Sequence, residues 1–350
     1  MMRYQLLGKS GLRVSQLCLG TMTFGETWGW GASKEESQKQ FDLFAEAGGN
    51  FVDTSVNYTD GTSEEFLGDF IHVDREHFVV ASKYTLTRTD SVNPNSGGNS
   101  RKNMMQSVER SLKRLKTDYL DILYLHVWDD TTPIEEIMRG MDDLVRSGKV
   151  MYLAVSDTPS WAVSAANMMA ELRGWSRFVG LQIPYSLVRR DSERDLLPMA
   201  KYWDMAVLPW GILGQGILLG KYSANNNSDD PTRFNKDNIK VSERAQKIVD
   251  EVARIADEIG KSKSQVCVNW VRQSQHAQMI PILGARGADQ LADNIASLEW
   301  SLTDEHMASL NEVSKIEYGL PRDFFISSRQ YAFGKTYDMI DNHHANYHYD

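Results

Sequence analysis

The sequence predicts an α/β protein, a (β/α)8 TIM barrel with an N-terminal β-hairpin and extended loops at its C-terminal face. Eight short apolar runs alternate with seven longer amphipathic stretches. The runs lack strict polar alternation, which is typical of strands buried on both faces of a parallel sheet. The first run is followed by GTMTFGETWGWG, which opens no helix with the glycine spacing of a phosphate loop. An open doubly wound sheet would need that loop, whereas a closed barrel uses all eight strands without it.

The strands are predicted from these apolar runs and from the start of the chain. Two short apolar stretches around Gly8 and Gly11 indicate a hairpin, which would close the N-terminal mouth of the barrel. The eight runs that follow are short and rich in Val, Ile and Leu. Barrel strands are predicted at 16–20, 50–55, 78–83, 121–126, 151–156, 178–183, 205–210 and 279–284.

The amphipathic stretches between the strands predict the helices. The stretch 134–147 shows the pattern most clearly, because apolar residues recur at i, i+3, i+4 and i+7 from Ile134 and mark one face. Thr132 is expected to cap this helix, with Pro133 as its first residue. Helices are predicted at 33–48, 62–71, 101–116, 134–147, 160–173, 192–203 and 242–258.

Three polar or weakly periodic segments follow predicted strands or end the chain: 85–100, 222–240 and 316–350. Loops after strands lie at the catalytic face of a barrel, so these segments either shape a substrate pocket or are surface linkers and a tail. We interpret His343, His344 and His348 as part of a tail and not as a metal site. The domain prediction is one barrel over 1–316 and a C-terminal extension or tail over 317–350.

The composition argues against several classes of function. The formal net charge is −9, which gives no support for binding nucleic acid or an anionic membrane. No apolar run reaches about 18 residues, and the N-terminus lacks the features of a signal peptide. Cys18 and Cys267 lie far apart and form no metal-ligand pattern. We therefore expect a cytoplasmic protein without nucleic-acid or membrane partners and without a metal; a homo-oligomer remains possible.

Four ionisable residues of different types lie at or just after the ends of three consecutive predicted strands. Asp53 ends the second strand, and Tyr58 follows it in the adjoining loop. Lys83 ends the third strand and His126 ends the fourth. Each alone has a structural explanation, such as a helix cap or a satisfied buried histidine. Because strand ends converge on one mouth of a barrel, we expect the four side chains to meet in one pocket.

This combination suits proton transfer coupled to hydride transfer from a cofactor. A free tyrosine has a pKa of about 10, too high for efficient proton exchange near neutrality. We expect Lys83, held by Asp53, to lower the pKa of Tyr58 and make it a general acid or base. His126 is expected to donate a hydrogen bond to a carbonyl oxygen. With no activated nucleophile and no metal pattern, the residues favour redox chemistry on a bound cofactor.

Over about residues 3–315 the sequence resembles the aldo-keto reductase family. The motifs that carry the resemblance are LGTMTFG, GGNFVDTSVNY, GTSEEFLG, ASKY, DYLDILYLHVWD, GKVMYLAVSD, LQIPYSL, LPWGILGQGILLGKY and PILGARGADQLADN. The resemblance implies NADP(H)-dependent interconversion of an aldehyde or ketone and an alcohol. It assigns the family's catalytic tetrad to Asp53, Tyr58, Lys83 and His126. The segments LHVWD and SDTPSW are most similar to the aryl-alcohol dehydrogenase branch.

The resemblance also assigns residues to the nicotinamide half of the cofactor. Ser156 and Gln182 match positions that hydrogen-bond the carboxamide. Asp157 stands where the family usually has Asn, so it can accept a hydrogen bond but cannot donate one while ionised. Trp210 matches the aromatic position that stacks on the nicotinamide ring and fixes the face it presents. The pyrophosphate is assigned to Gly211, Leu213, Gly214, Gln215, Gly216 and Lys221.

The adenosine end of the cofactor is assigned, on the same resemblance, to Gly284, Arg286, Gln290 and Asn294. Arg286 suits a 2′-phosphate, because guanidinium binds phosphate bidentately. Asp289 and Asp293 lie close by in sequence and would repel that phosphate if they pointed inward. Because Arg286 suits a 2′-phosphate, NADP(H) is preferred to NAD(H).

Aromatic residues after several strands are candidates for the substrate pocket: Trp28, Trp30, Tyr84 and Trp128. At a barrel mouth they would suit a sugar ring, an aryl aldehyde or a polycyclic ketone, and they would equally suit the packing of long loops.

Two other function classes are open to the same sequence. A cofactor-binding regulatory protein with little turnover would keep the barrel and the cofactor site, as potassium-channel beta subunits of this superfamily do. The complete tetrad argues against a purely binding role. A metal-dependent hydrolase would need several histidine and carboxylate ligands at strand ends, and only His126 qualifies.

Overall fold

The structure, a computed structural model, describes residues 2–87, 90–222 and 241–341. Within these residues, nine short parallel strands form one sheet and two more form an antiparallel hairpin. The hairpin strands are β1 (Tyr4–Leu6) and β2 (Arg13–Ser15). The barrel strands are β3 (Cys18–Gly20), β4 (Phe51–Asp53), β5 (Val79–Tyr84), β6 (Leu120–Leu125), β7 (Val150–Ser156), β8 (Phe178–Pro184), β9 (Ala206–Trp210), β10 (Gln278–Met279) and β11 (Ile282–Leu283).

The barrel closes through its eighth strand, which is split in two. β10 pairs with β9, and β11 pairs with β3. Between them, the N–H of Ile280 donates to Val207 O (2.8 Å) and the carbonyl of Pro281 accepts from Cys18 N (2.9 Å). Pro281 has no N–H to donate to a neighbouring strand, which explains the interruption. Every predicted strand overlaps an observed one, so the (β/α)8 barrel is confirmed.

The N-terminal hairpin packs against the N-terminal ends of the strands, as predicted. Its turn is fixed by Gly8, whose N–H donates to the side chain of Gln278 (3.0 Å). Gly8 has a left-handed φ of 50°, and a side chain there would collide with the backbone of Val179 and Asp204. Lys9 N also donates to Asp204 O (2.7 Å). Glycine is therefore required where the turn touches the barrel.

Alternate strand residues face either the barrel axis or the surrounding helices. On β5, Val79 and Ala81 belong to a buried cluster that includes hairpin side chains, whereas Val80 belongs to the larger cluster that includes the helices. The parity of a residue within its strand thus decides whether it reaches the interior. The inner cluster consists of Leu7, Val14, Cys18, Phe51, Val79, Ala81, Ile122, Tyr124, Ala154, Ala206, Leu208 and Ile280.

The helices surround this barrel. Helices predicted at 62–71 and 160–173 have those bounds, and the sixth prediction, 192–203, contains a 3-10 turn at Asp191–Glu193 followed by a shorter helix. The helices are α1 (Lys34–Glu46), α2 (Thr62–Ile71), α3 (Arg101–Leu115), α4 (Ile134–Arg146), α5 (Ser160–Arg173), α6 (Leu196–Tyr202), α7 (Glu243–Ile259), α8 (Lys263–Arg272), α9 (Ala288–Ile295), α10 (Asp304–Val313), α11 (Arg322–Ser327) and α12 (Arg329–Phe333).

The start of α4 differs from the prediction. Pro133 is the N-cap residue, with a non-helical ψ of 137°, and no side chain caps this helix. The hydroxyl of Thr132 donates instead to Asp129 Oδ2 (2.7 Å). Thr132 does not cap the helix because Pro133 occupies the N-cap position, and Asp129, which also accepts the backbone N–H of Thr132 (3.0 Å), holds Thr132 in the preceding turn.

Helices α8 to α12 were not predicted, although two of them carry a visible start signal. Ser262 caps α8 by accepting from Gln265 N, and Thr303 caps α10 by accepting from His306 N. Their apolar residues do not repeat over enough turns to be recognised from periodicity alone.

Parts of all three predicted loop or tail segments lie outside the described residues, namely 88–89, 223–240 and 342–350, the last of which includes His343, His344 and His348. Elsewhere in the described chain, no helix is both long and apolar enough to cross a bilayer. In the same residues, no three His, Cys, Asp or Glu side chains are grouped to hold a metal ion.

Candidate active site

The ends of β4 and β5 bring a lysine, an aspartate and a tyrosine into contact. Nζ of Lys83 donates to Oδ2 of Asp53 (2.6 Å) and to the hydroxyl of Tyr58 (3.0 Å). Its third hydrogen bond goes to the carbonyl of Thr54 (2.7 Å). Lys83 and Asp53 are 1% and 2% exposed and Tyr58 is 9% exposed. The ammonium group therefore uses all three of its donors inside the barrel mouth.

Strand parity explains why these side chains point inward. Lys83 continues the axis-facing series of Val79 and Ala81 on β5, and Asp53 continues that of Phe51 on β4. A charged side chain in this position is tolerated because the lysine and the aspartate pair with each other.

The loop between β4 and α2 holds Tyr58 against this pair. The guanidinium of Arg114 on α3 donates to Val56 O (2.8 Å), and the hydroxyl of Thr59 donates to Phe24 O (2.6 Å). Thr59 has a left-handed backbone with φ of 45°, a strained conformation for a β-branched residue. The loop is therefore fixed on both sides of Tyr58 by contacts to distant segments.

His126 directly follows β6 and lies beside Tyr58. The two rings meet edge to face, with centroids 5.9 Å apart and planes at 77°. Nδ1 of His126 lies 3.3 Å from Oγ of Ser55. Burial, followed by the charge of Lys83, holds the pKa of His126 well below its ordinary value. The imidazole is therefore neutral at pH 7. The four residues of the predicted tetrad thus lie together at the carboxyl ends of β4 to β6.

The pKa of Tyr58 is opposite in direction to the expectation. Burial raises the pKa of the phenol above its ordinary value, and the opposing effect of the Lys83 ammonium is smaller. The pKa of Lys83 is also raised: burial acts to lower it, but the Asp53 carboxylate and Tyr58 outweigh burial. Lys83 thus acts to lower the Tyr58 pKa as predicted, but desolvation of the phenolate outweighs it, so the pKa as a whole is raised and not lowered. Tyr58 keeps its proton near neutrality.

The residues assigned to a nicotinamide carboxamide lie next to this group, on the same inner face. Nε2 of Gln182 donates to Oδ1 of Asp53 (2.9 Å), which leaves its Oε1 as an acceptor. Ser156 is 1% exposed, and its hydroxyl has no hydrogen-bond partner among the described residues. A buried unpaired hydroxyl is costly, so this position fits a ligand that completes it. Partial burial raises the pKa of the adjacent Asp157 carboxyl to about 6.

The turn after β9 fits the close approach of a phosphate group. A Cβ added at Gly211, where φ is 67°, would meet no atom within 4 Å, so this backbone faces open space. Gln215 shares the left-handed conformation with φ of 58° although it carries a side chain. The residues assigned to the cofactor here run from the end of β9 through the following 3-10 turn: Trp210, Gly211, Leu213, Gly214, Gln215, Gly216 and Lys221.

The segment after β11 carries the residues assigned to the adenosine end. Gly284 faces open space, the N–H of Arg286 donates to Gln290 Oε1 (3.2 Å), and Asn294 is buried on α9. Asp293 accepts two hydrogen bonds, one from Oγ of Ser262, the cap of α8 (2.6 Å), and one from Nε2 of Gln265 within α8 (2.7 Å). Its carboxylate is therefore held toward α8. Asp293 is therefore not placed to repel a 2′-phosphate.

Glu36 on α1 is a feature of this region that sequence reasoning missed. Its Oε1 accepts the N–H of Ala288 (2.7 Å) at the start of α9. The first N–H of that helix is thus already paired with a carboxylate. A phosphate bound nearby would depend on Arg286 more than on the helix terminus.

The predicted aromatic residues divide into two groups. Trp28 and Trp30 pack against each other with centroids 5.7 Å apart, and Trp128 packs against Trp161 at 5.9 Å. Trp161, at the start of α5, was not predicted and is 63% exposed. These two pairs place apolar ring surface in the loops that follow β3, β6 and β7.

Tyr84 does not belong to the pocket. It is fully buried in the cluster that includes the helices, one residue beyond the inward-facing Lys83. Its assignment to the substrate pocket is wrong because consecutive strand residues face opposite sides. Counting parity from Lys83 would have shown this from the sequence.

Comparison with known proteins gives one family. The model of the Aldo/keto reductase family matches residues 16–315. The chain is 37% identical to an aryl-alcohol dehydrogenase (NADP+) of Phanerodontia chrysosporium, over 99% of this chain and 92% of that protein. It is 33% identical to a norsolorinic acid reductase of Aspergillus flavus, over 92% and 84% of the two chains. A putative aryl-alcohol dehydrogenase of Saccharomyces cerevisiae is 34% identical, over 91% and 89%.

Proposed function

The chain belongs to the aldo/keto reductase family, in which it resembles the aryl-alcohol dehydrogenase branch, and from this premise we propose that it is an NADP(H)-dependent oxidoreductase that interconverts an aldehyde or ketone and the corresponding alcohol. One observation carries the proposal. The hydroxyl of Tyr58 accepts from Lys83 and donates to no acceptor among the described residues. Its proton is therefore available to a substrate oxygen.

The residues of this chain would handle the proton of the reaction. Tyr58, protonated near neutrality, gives its proton to the oxygen that becomes the alcohol and takes it back in the reverse direction. The Lys83 ammonium stabilises the phenolate that forms, and Asp53 keeps Lys83 oriented. His126 lies on the other side of Tyr58, where it orients the substrate oxygen. The nicotinamide cofactor, when bound, supplies or accepts the hydride.

The cofactor assignment is supported by groups that lack a partner. Ser156 offers a buried unpaired hydroxyl, and Gln182 opposite it presents Oε1 as an acceptor because its Nε2 donates to Asp53. Trp210 at the end of β9 offers a ring for stacking, and Gly211 directly after it leaves open backbone for the pyrophosphate. We assign Arg286 to the 2′-phosphate, which favours NADP(H) over NAD(H).

An aromatic carbonyl compound is the substrate class we favour. The relatives with printed activities are an aryl-alcohol dehydrogenase and a norsolorinic acid reductase. The two tryptophan pairs, Trp28 with Trp30 and Trp128 with Trp161, supply flat apolar surface suited to an aromatic ring.

The proposal is tested by following NADPH oxidation, with NADH in parallel, over a panel of aryl aldehydes, aromatic ketones and aldoses. Turnover of the aromatic compounds is expected, with a fall of about 10²–10⁴-fold in the Tyr58→Phe variant, since a positioned general acid contributes that much. NADPH binding, measured by fluorescence, should be unchanged in the variant. Tight NADPH binding with no turnover in either direction would instead support a cofactor-binding regulatory protein.

The cofactor preference has its own test. Arg286→Ala should weaken NADPH binding by about 10–100-fold and NADH binding by less than about twofold, because only NADPH carries the 2′-phosphate. Arg286→Lys serves as the matched control and should recover part of the loss, since lysine keeps the charge but not the planar fork. An equal loss for both cofactors would remove Arg286 from the phosphate site.

A further inference from the structure

Ser55 makes a contact at the active site that no part of the sequence reasoning assigned. Its side chain is fully buried in the loop that follows β4. Oγ lies 3.3 Å from Nδ1 of His126 and 2.7 Å from the amide oxygen of Asn57. One hydroxyl therefore touches both the histidine of the tetrad and a neighbouring side-chain amide.

The protonation of His126 gives this contact its importance. The imidazole is neutral at pH 7, because burial and the charge of Lys83 lower its pKa. A neutral imidazole carries a single N–H, and the partner of one ring nitrogen decides where that proton resides. If Nδ1 accepts a hydrogen bond, Nε2 carries the proton and can donate to a substrate oxygen. If Nδ1 donates, Nε2 presents a lone pair that repels a carbonyl oxygen.

We propose that Ser55 is a positioning residue whose hydroxyl donates to Nδ1 of His126 and thereby keeps the imidazole proton on Nε2, facing the substrate. The inference rests on the proposed function, since it concerns the residue that orients the substrate oxygen. The contact connects His126 to the loop that also carries Tyr58.

Asn57 completes the chain of hydrogen bonds. Ser55 has one proton and cannot donate to both neighbours. No other hydrogen bond among the described residues fixes the Asn57 amide, and a 180° turn exchanges its oxygen and nitrogen without changing its shape. With Nδ2 toward Ser55, Asn57 donates to Ser55, Ser55 donates to His126, and Nε2–H is left for the carbonyl. In this order each contact of the chain joins one donor to one acceptor.

The test is the tautomer of His126, read from ¹⁵N–¹H correlation spectra of histidine-labelled protein at about pH 8, where the ring is neutral. The wild type should show the proton on Nε2, with the signal assigned by its loss in His126→Gln. Ser55→Ala should produce a mixture of the two tautomers. Asn57→Asp should shift the imidazole proton to Nδ1. The carboxylate can only accept, so Ser55 would donate to it, and Oγ of Ser55 would then accept from Nδ1–H of His126. A wild-type ring protonated on Nδ1, or a spectrum unchanged in Ser55→Ala, would overturn the proposal.

Kinetics supply a second readout. Ser55→Ala should lower kcat/KM for an aromatic aldehyde about tenfold, the size of one hydrogen bond, while NADPH binding stays constant. The matched control is Ser63→Ala, since Ser63 is also fully buried and bonds to Thr21 and Thr54 but not to His126. That variant should keep the wild-type tautomer, whatever it does to stability. Because the spectra need no turnover, they test the role of Ser55 even if the proposed activity is wrong.

Discussion

Two buried ion pairs in this protein each contact a tyrosine hydroxyl, and they use it in opposite ways. At the barrel mouth, Lys83 pairs with Asp53 and donates to Tyr58, whose own proton has no acceptor among the described residues. Near the C-terminal segment, Arg190 pairs with Glu193 (2.7 Å) and Tyr185 donates its proton to that glutamate (2.6 Å). The first tyrosine keeps a proton to give away, and the second has already committed its proton to a carboxylate.

The second group acts as an anchor. Glu193 is fully buried and also accepts from Tyr318 (3.3 Å), while its backbone carbonyl accepts from Arg322 (2.6 Å). Burial acts to raise the pKa of Glu193, but the hydrogen bonds from Arg190 and the charge of the nearby His276 lower it overall. These contacts attach the C-terminal segment to the barrel. In this protein, a buried ion pair therefore serves chemistry only where the proton of the neighbouring tyrosine is left without an acceptor.

The largest expected difference is between the two tyrosines. Tyr58→Phe should lower kcat by about 10²–10⁴-fold and change the free energy of unfolding little. Tyr185→Phe should leave kcat within about twofold and destabilise the fold by about 1–3 kcal/mol, because Glu193 loses a donor in a buried site. Steady-state kinetics and urea unfolding of both variants provide the measurement. A loss of kcat in Tyr185→Phe comparable to that in Tyr58→Phe would break the distinction.

The next-largest effect is expected from removing the charge of Glu193 at the centre of the anchor. Glu193→Gln leaves Arg190 buried without its counter-ion, and breaking such a pair costs about 3–5 kcal/mol in the free energy of unfolding. Proteolysis within residues 317–341 should also become faster, because Tyr318 and Arg322 dock on this residue. The exposed pair of Lys247 and Glu243 provides the control, since Glu243→Gln should change stability by less than about 1 kcal/mol. Equal effects of the two variants would contradict the anchor role.

The smallest effect concerns a second carboxyl at the mouth, Asp157. Its pKa is raised to about 6 by burial, with Arg189 and Lys83 opposing. The group is therefore neutral below about pH 6 and charged above it, and the charge favours the oxidised cofactor, whose nicotinamide ring is positive. The ratio of NADP+ to NADPH affinity should rise up to about fivefold, or ~1 kcal/mol, from about pH 5 to pH 7.

Asp157→Asn tests this directly, because asparagine cannot ionise. The affinity ratio of that variant, measured by fluorescence titration and competition, should not change with pH. Taking the ratio cancels the titration of the phosphate that both cofactors carry. A pH dependence that persists in the variant would assign the effect to another group.

The fold and the inner face of the site were largely predictable. The strand ends that carry Asp53, Lys83, His126, Ser156 and Gln182 follow from apolar runs and the two-residue period of a strand. The same period, applied strictly, excludes Tyr84 from the pocket. Helices α8 to α12 were missed because short helical segments give weak periodicity. The anchor was missed because Arg190 and Glu193, three residues apart, read as an ordinary surface pair.

The sequence by itself determined the barrel, the side of each strand that faces the axis and the residue types that meet at the mouth, because these depend on local periodicity and chain order. The tertiary structure decided which of these groups are buried and which distant residues they contact. The raised pKa of Tyr58 depends on burial, and the partners of Glu193 lie up to 129 residues away along the chain. Ser55 beside His126 joins segments 71 residues apart. Desolvation and long-range hydrogen bonds exist only once the chain has folded, so no local pattern contains them.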